Sequence, residues 1–195
     1  ERLTVAMRDI TDVIHAAALK VVPILEYNPS EAVRTNVTGA MNVIEAADKM
    51  GVSTVLGIST DKAVMPVNLY GATKLCAEKL FLAANHMYGE HGPRYAVARY
   101  GNVVGSNGSV VPLFRNLKKL KRPITVTDTE MTRYWITLED AAEFVYTKLN
   151  EAYGGEIFTP TMPSFKVMDL ARIYSKNIEI IGVRPGEKIH ESINV

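Results

Sequence analysis

Tyr70 and Lys74 stand four residues apart, a spacing that puts a phenol and an ammonium on one face of a helix. A tyrosine that works as a base near neutrality needs its pKa lowered by about 3 units, or about 4 kcal/mol of extra stabilisation of the phenolate. A neighbouring lysine and a cationic nicotinamide ring both push in that direction. The spacing alone also fits a helix-start aromatic followed by a solvated lysine. What sets this pair apart lies upstream, where the apolar run 54–58 ends in Ser59-Thr60-Asp61-Lys62 and leads through Met65-Pro66-Val67-Asn68 to Tyr70. Polar and charged residues at the carboxyl end of a parallel strand stand where ligands bind in α/β sheets. The plainer reading of Asp61-Lys62 is a surface ion pair of little energetic weight.

The elements that must position these residues alternate short apolar strands with amphipathic helices, the pattern of an α/β fold with a largely parallel sheet. Strands are predicted at 13–16, 54–58, 96–100, 124–127, 156–159 and 178–182. A helix over 29–50 is marked by Asn28, Pro29 and Ser30 at its start, by Val33, Val37, Met41, Ile44 and Ala47 at helical spacing, and by Gly51 at its end. Further helices are predicted at 70–88, closed by Gly89, at 110–120, at 138–152, closed by Tyr153-Gly154-Gly155, and at 167–175. From about Ser106 the connections lengthen and proline becomes more frequent, which suggests a main sheet followed by a smaller lobe.

The chain has 195 residues, 47% of them hydrophobic, with 22 Lys and Arg against 21 Asp and Glu. A net charge of +1 and one short basic cluster, Lys118, Lys119, Lys121 and Arg122, argue against nucleic acid as a partner. The single cysteine, Cys76, excludes an internal disulfide and reads as a small core hydrophobe in an Ala/Leu-rich helix, in keeping with a reducing, cytoplasmic compartment. No run approaches the roughly 20 apolar residues of a membrane span. His15 closes a strand and reads as structural, while His86, His91 and His190 lack metal-ligand spacing, so no metal is expected. Glu1-Arg2-Leu3 enters directly into a helix-like segment without an initiator methionine, and the natural beginning is expected to lie upstream.

The stretch from Ser59 to Lys74 resembles the active-site signature of the inverting UDP-N-acetylglucosamine 4,6-dehydratases of bacterial polysaccharide and flagellin-glycan biosynthesis, in the extended short-chain dehydrogenase/reductase superfamily. Asp12 to Lys20, Thr35-Asn36-Val37 with Gly39, Arg99 to Gly105, Met131 to Thr137 and Arg184 to Lys188 resemble that family's other landmarks, in order along the whole chain. The cofactor-gripping glycine-rich turn is absent; on the family pattern it would precede Asp12 by roughly sixty residues. The resemblance implies a Rossmann-type doubly wound parallel sheet without its N-terminal βαβ part, over 1–110 with 137–160 returning to it. It also implies a smaller C-terminal nucleotide-sugar lobe from 111–136 and 161–195.

On this resemblance NADP, with NAD as an alternative, would be met by Ala16, Ala17, Ala18, Asn36, Ser59, Tyr70, Lys74 and Tyr100. Tyr70 would take the O4 proton, Thr60 would hydrogen-bond O4 and Lys74 would hold the cofactor ribose. Related retaining dehydratases carry Glu where Lys62 stands, so Lys62 is assigned as the C5 base and Asp61 as the acid for the C6 hydroxyl. Whether Tyr70 or a water reprotonates C5 is left open. The UDP-sugar would meet Lys20, Asn102, Arg133, Arg184 and Glu187. The rival enzyme, a nucleotide-sugar C4 epimerase or reductase, shares Thr60, Tyr70 and Lys74 but needs no Asp61-Lys62 pair. A silent nucleotide-binding protein would be expected to lack Tyr70 or Lys74. Helices 29–50 and 70–88 resemble those that pair between subunits, so a homo-oligomer is expected, unless both faces are buried within one subunit. A membrane anchor ahead of Glu1 is neither implied nor excluded.

Overall fold

The computed structural model describes residues 1–194. In chain order the first half comprises α1 (Arg2–Ala6), β1 (Asp12–His15), α2 (Val22–Tyr27), α3 (Pro29–Ala32), α4 (Gly39–Met50), β2 (Thr54–Thr60), α5 (Leu69–Tyr88) and β3 (Arg94–Tyr100). The second half comprises β4 (Asn102–Val103), α6 (Val110–Lys119), β5 (Ile124–Val126), β6 (Thr132–Ile136), α7 (Leu138–Glu151), β7 (Ile157–Phe158), β8 (Ser164–Lys166), α8 (Val167–Tyr174) and β9 (Ile178–Ile180).

Four parallel strands in the order β1-β2-β3-β7 make the main sheet. β2 is central and lies almost wholly out of solvent. Its apolar residues therefore form a near-continuous run rather than an alternating one, as in parallel sheets covered on both faces. On one face Val43, Ile44 and Ala47 of α4 and Ala77, Phe81 and Ala84 of α5 pack against Val55, Tyr95 and Val97. On the other, Val145 and Ala152, from α7 and its end, cover Leu56, Ala96 and Ala98. A separate core gathers Phe114 and Leu117 of α6, Ile124 and Val126 of β5, and Val167, Met168 and Ala171 of α8. β5 pairs in parallel with β9, while β6 pairs with β4 in parallel and with β8 in antiparallel fashion.

Four sequence expectations change. β2 continues two residues past 58, because Ser59 and Thr60 keep register with Arg99 and Tyr100; the polar tetrad starts on the strand itself. The helix expected over 29–50 contains a π-helical turn at Val33–Thr38. The wide turn turns Asn36 inward, where its amide meets the Leu19 N–H at 2.8 Å, the Leu19 carbonyl at 2.9 Å and the Thr73 hydroxyl at 3.0 Å. Cys76, expected in the core, is exposed, because α5 buries Thr73, Lys74, Ala77, Glu78 and Phe81 and leaves position 76 off that face. The short elements α2, β4, β6 and β8 were not anticipated as helix or strands. The other predicted elements differ by a residue or two at their ends, the usual ambiguity of boundaries.

Among the described residues no helix is long and apolar enough to cross a membrane. α5 starts under a side-chain cap, the Asn68 Oδ1 accepting from the Gly71 N–H at 2.8 Å. Gly71 is buried, and a Cβ there would collide with the Lys62 carbonyl oxygen and meet Pro66 Cβ at 3.0 Å. Gly71→Ala should therefore lower stability by about 1–3 kcal/mol, in spite of the roughly 1 kcal/mol that alanine gains in helix propensity. Urea unfolding measures the difference, and a neutral or stabilising result would show that the Lys62 turn yields freely.

Candidate active site

The carboxyl ends of β1, β2 and β3 open onto a cavity of about 300 Å³. The loop after β1 contributes Ala16, Ala18 and Lys20; β2 contributes Ser59 and Thr60; the following turn contributes Lys62; α5 contributes Tyr70 and Lys74 from its first two turns; Tyr100 and Asn102 close the far side. The chain makes the bend from β2 into α5 through a 3₁₀ turn at Asp61–Ala63, with the Thr60 hydroxyl accepting from the Lys62 N–H at 3.4 Å. Thr60, Lys62, Tyr70 and Lys74 thus reach one wall although they come from a strand, a turn and a helix.

The charges at this wall are organised by burial. Asp61 is fully buried, and its Oδ1 accepts from the Thr60 hydroxyl at 2.9 Å and from Lys62 Nζ at 2.9 Å. Its Oδ2 is buried without a hydrogen-bond partner, an arrangement costly enough to call for a reason. The Lys62 ammonium also donates to Asn102 Oδ1 at 3.0 Å. Asp61 itself does not line the cavity; it reaches that space through Thr60 and Lys62.

Lys74 is 4% exposed, and burial lowers its pKa to about 8 against the opposing influence of Glu78. Burial pushes Tyr70 up to about 12; a hydrogen bond with Thr60 opposes the rise, and Asp61 and Tyr100 add to it. The sequence reasoning expected Lys74 to draw this pKa down. In the chain alone desolvation of the phenolate wins, and Tyr70 rests as the neutral phenol. His15 is held down to about 4 by burial and by the charge of Lys74, and its ring lies 5.7 Å from that of Phe81, a neutral packing group as expected.

Beside this cavity a second one, of about 180 Å³, is lined by Asn102, Ser109, Met131, Arg133, Arg184 and Glu187 among others. A wider cleft of about 830 Å³ shares Lys62, Arg133, Arg184 and Glu187 and adds Glu26, Asn68 and Glu191. The residues predicted for a nucleotide-sugar thus converge from distant parts of the chain, apart from Lys20, which lies on the first cavity. Arg133 Nη1 is occupied by the carbonyls of Thr132 at 2.7 Å and Ile189 at 3.1 Å, and Glu187 accepts from the Arg184 N–H at 3.3 Å. Ala17 and Asn36 do not line the first cavity; Asn36 braces Leu19 from behind. Among the described residues no cluster of three or more His, Cys, Asp or Glu could hold a metal ion.

Sequence reasoning missed the residues that hold this site in place. Glu78, one turn beyond Lys74, accepts from Ser59 at 2.6 Å and from Arg99 at 2.9 and 2.7 Å. Asn68 donates to the Gly186 carbonyl at 2.8 Å while capping α5, and Glu26 accepts from the Leu69 N–H at 2.7 Å. Only Asn68 carried a local signal, the N-cap spacing to Gly71.

A family model described as "Polysaccharide biosynthesis protein" matches residues 1–195. The UDP-N-acetylglucosamine 4,6-dehydratase (inverting) of Campylobacter jejuni is 55% identical over 194 residues, which are 98% of this chain and 58% of that protein. The chain therefore spans less than two thirds of that relative's length. A UDP-glucose 4-epimerase of Rickettsia bellii is 42% identical over 96% of this chain and 57% of its own length. The crystal structure of the dTDP-glucose 4,6-dehydratase DesIV from Streptomyces venezuelae, with NAD and TYD bound, matches 99% of this chain and 67% of that chain with a TM-score of 0.91 at 20% identity, a likeness of fold.

The burial of Lys74 has a consequence for stability. With a folded pKa of about 8 against 10.5, the side chain is charged at pH 7 both folded and unfolded, and the folded form carries a penalty of about 3 kcal/mol. That penalty is relieved as pH rises from 8 towards 10.5. Lys74→Met, which keeps the apolar stem, should stabilise the chain by about 1–3 kcal/mol at pH 7 and by less at pH 10. Urea unfolding at the two pH values checks this; a destabilised variant at pH 7 would show that the ammonium is held by more than it loses.

Proposed function

Because the chain belongs to the polysaccharide biosynthesis protein family, we propose that it forms the catalytic part of an inverting UDP-N-acetylglucosamine 4,6-dehydratase. The observation that carries this reading is the Asp61–Lys62 pair at 2.9 Å, with Lys62 on the cavity wall that also bears Thr60 and Tyr70 and Asp61 buried behind it. Interconversion at C4 uses Thr60, Tyr70 and Lys74 alone, whereas loss of water from C5 and C6 needs a further base and a further acid.

The first cavity suits a nicotinamide cofactor, NADP with NAD as the alternative. Ala16 and Ala18 leave its wall free of bulk, and the buried Lys74 lines it. Ser59, Tyr70, Lys74 and Tyr100 would meet the cofactor there, with Asn36 holding the 16–20 loop in place. When bound, the nicotinamide supplies a positive ring beside Tyr70 and accepts and returns hydride.

Tyr70 then takes the O4 proton of the sugar, with Thr60 hydrogen-bonded to the same oxygen, as C4 becomes a ketone. That ketone acidifies the C5 proton, which Lys62 removes. As the acid of this step Asp61 delivers a proton to the C6 hydroxyl through the Thr60 hydroxyl, which bonds its Oδ1, and water leaves. Arg133 and Arg184 suit the diphosphate, whose oxygens match a planar fork of donors. Glu187 suits ribose hydroxyls, and Asn102 and Lys20 suit the neighbouring sugar and phosphate. A homo-oligomer in the cytoplasm goes with this reading; exposed Val33 and Met41 on the first long helix and Cys76 on the second support pairing of these helices between subunits.

The test is to incubate the whole protein that carries this chain with UDP-N-acetylglucosamine in deuterium oxide and follow the sugar by proton NMR. A C6 methyl signal, deuterium at C5 and an inverted C5 coupling pattern are expected. Tyr70→Phe should slow the conversion by about 10²-fold or more. An intact C6 hydroxymethyl group with a new C4 epimer would transfer the assignment to an epimerase, the activity named for the Rickettsia relative.

A further inference from the structure

Lys62 is held from two directions, by Asp61 Oδ1 at 2.9 Å and by Asn102 Oδ1 at 3.0 Å. The second hold crosses between structural units. Lys62 rides on the 3₁₀ turn after β2, whereas Asn102 stands at the head of β4, in register with Trp135 of β6. Asn102 also borders both the cavity that contains Tyr70 and Lys74 and the one that contains Arg133, Arg184 and Glu187. Among the described residues Gly108 and Ser109 also line both, but no other residue of the proposed machinery does.

We infer that Asn102 is a positioning residue for Lys62, and that it couples occupation of the diphosphate subsite to placement of the C5 base. A carboxamide accepts at one end and donates at the other. With Oδ1 committed to Lys62, the two Nδ2 hydrogens remain for an anionic oxygen in the adjoining cavity. A diphosphate oxygen bound there fixes the amide in the orientation that presents Oδ1 to Lys62, so binding and base placement reinforce each other. An aspartate at this position would keep the acceptor for Lys62 and repel the diphosphate; an alanine would lose both ends. This inference rests on the dehydratase reading and adds a residue whose effect falls on one half-reaction.

The test separates oxidation at C4 from proton removal at C5. Asn102→Ala and Asn102→Asp, each in the whole protein with its cofactor, are given UDP-N-acetylglucosamine in deuterium oxide, quenched in time and analysed by mass. The 4-keto sugar, which has lost two hydrogens, is distinguished from the product that has lost water, and deuterium at C5 is counted. Calorimetry with UDP measures binding apart from turnover.

For Asn102→Ala UDP binding should weaken, and at saturating substrate the 4-keto sugar should build up to about one per active site, since hydride returns only after water loss, while C5 deuteration and water loss slow by about tenfold or more. Asn102→Asp should bind UDP more weakly than the parent and, because a second carboxylate beside Lys62 favours the ammonium over the free base, leave C5 deuteration slow even at saturating substrate. Equal slowing of both steps in Asn102→Ala, or weaker UDP binding with no accumulation of the 4-keto sugar, would overturn the inference and leave Asn102 a structural residue or a plain phosphate contact. A parent enzyme that oxidises C4 without deuterating C5 would instead overturn the dehydratase reading, and the role of Asn102 with it.

Discussion

The carboxylate of Glu78 is the point on which the site's geometry turns. It is 1% exposed, and from that position it accepts from Ser59 at the end of β2 and twice from Arg99 at the end of β3. Ser59 and Arg99 are themselves register partners across the two strands. The remaining guanidinium donor reaches the Ile193 carbonyl at 3.0 Å. Two strand ends, the middle of α5 and the C-terminal segment are therefore joined through one buried pair. Removing either partner of such a pair strands a charge away from water and costs about 3–5 kcal/mol. The same carboxylate opposes the desolvation of Lys74, so the fold's anchor also sets the electrostatics of its neighbour one turn away.

A second group of bonds ties the side of the cleft that bears Arg184 and Glu187 to the start of α5. Asn68 caps the helix that carries Tyr70 and holds Gly186 with the other end of its amide. Lys188 donates to the Val64 carbonyl at 2.6 Å, and the Ile189 carbonyl accepts from both the Thr132 N–H and Arg133. The loop bearing Arg184 and Glu187 is thereby fastened to the turn bearing Lys62 and to the first turn of α5. A ligand that grips those residues acts on backbone that is continuous with the reacting groups, so remote binding energy has a physical path to the chemistry.

One wall of the candidate site was legible in the sequence because it is local there. Ser59 to Lys74 is one unbroken strand-turn-helix passage, and its apolar runs and helical spacing follow simple periods. The bracing was not, because Glu78 with Arg99, Asn36 with Leu19 and Thr73, and Asn68 with Gly186 are partnerships between segments that lie far apart in the chain. The π-helical turn at Val33–Thr38 escaped for a related reason. One wide turn leaves the spacing on either side helical, and only the inward position of Asn36 betrays it. β4, β6 and β8 have two, five and three residues and expose or half-expose most of them, so no alternation or apolar run announces a strand. Cys76 was misplaced because its neighbours are apolar, whereas the buried stripe of α5 admits Lys74 and Glu78 and passes position 76 by.

That stripe departs from what packing alone would choose, and the departures are informative together. A helix that buries Lys74 and Glu78, beside a turn that buries Asp61 with an oxygen unpaired, forgoes stability that apolar residues would have supplied. Of the groups assigned as bases, Tyr70 rests as the phenol, its pKa raised to about 12, while Lys62 is held as a donor to Asp61 and Asn102. The chain by itself is thus set against the reaction it is proposed to carry. Positive charge brought beside Tyr70 would reverse this setting, and the two cavities that meet at Asn102 are where such a group would enter. The raised pKa of Tyr70 thereby confines its base chemistry to the filled site.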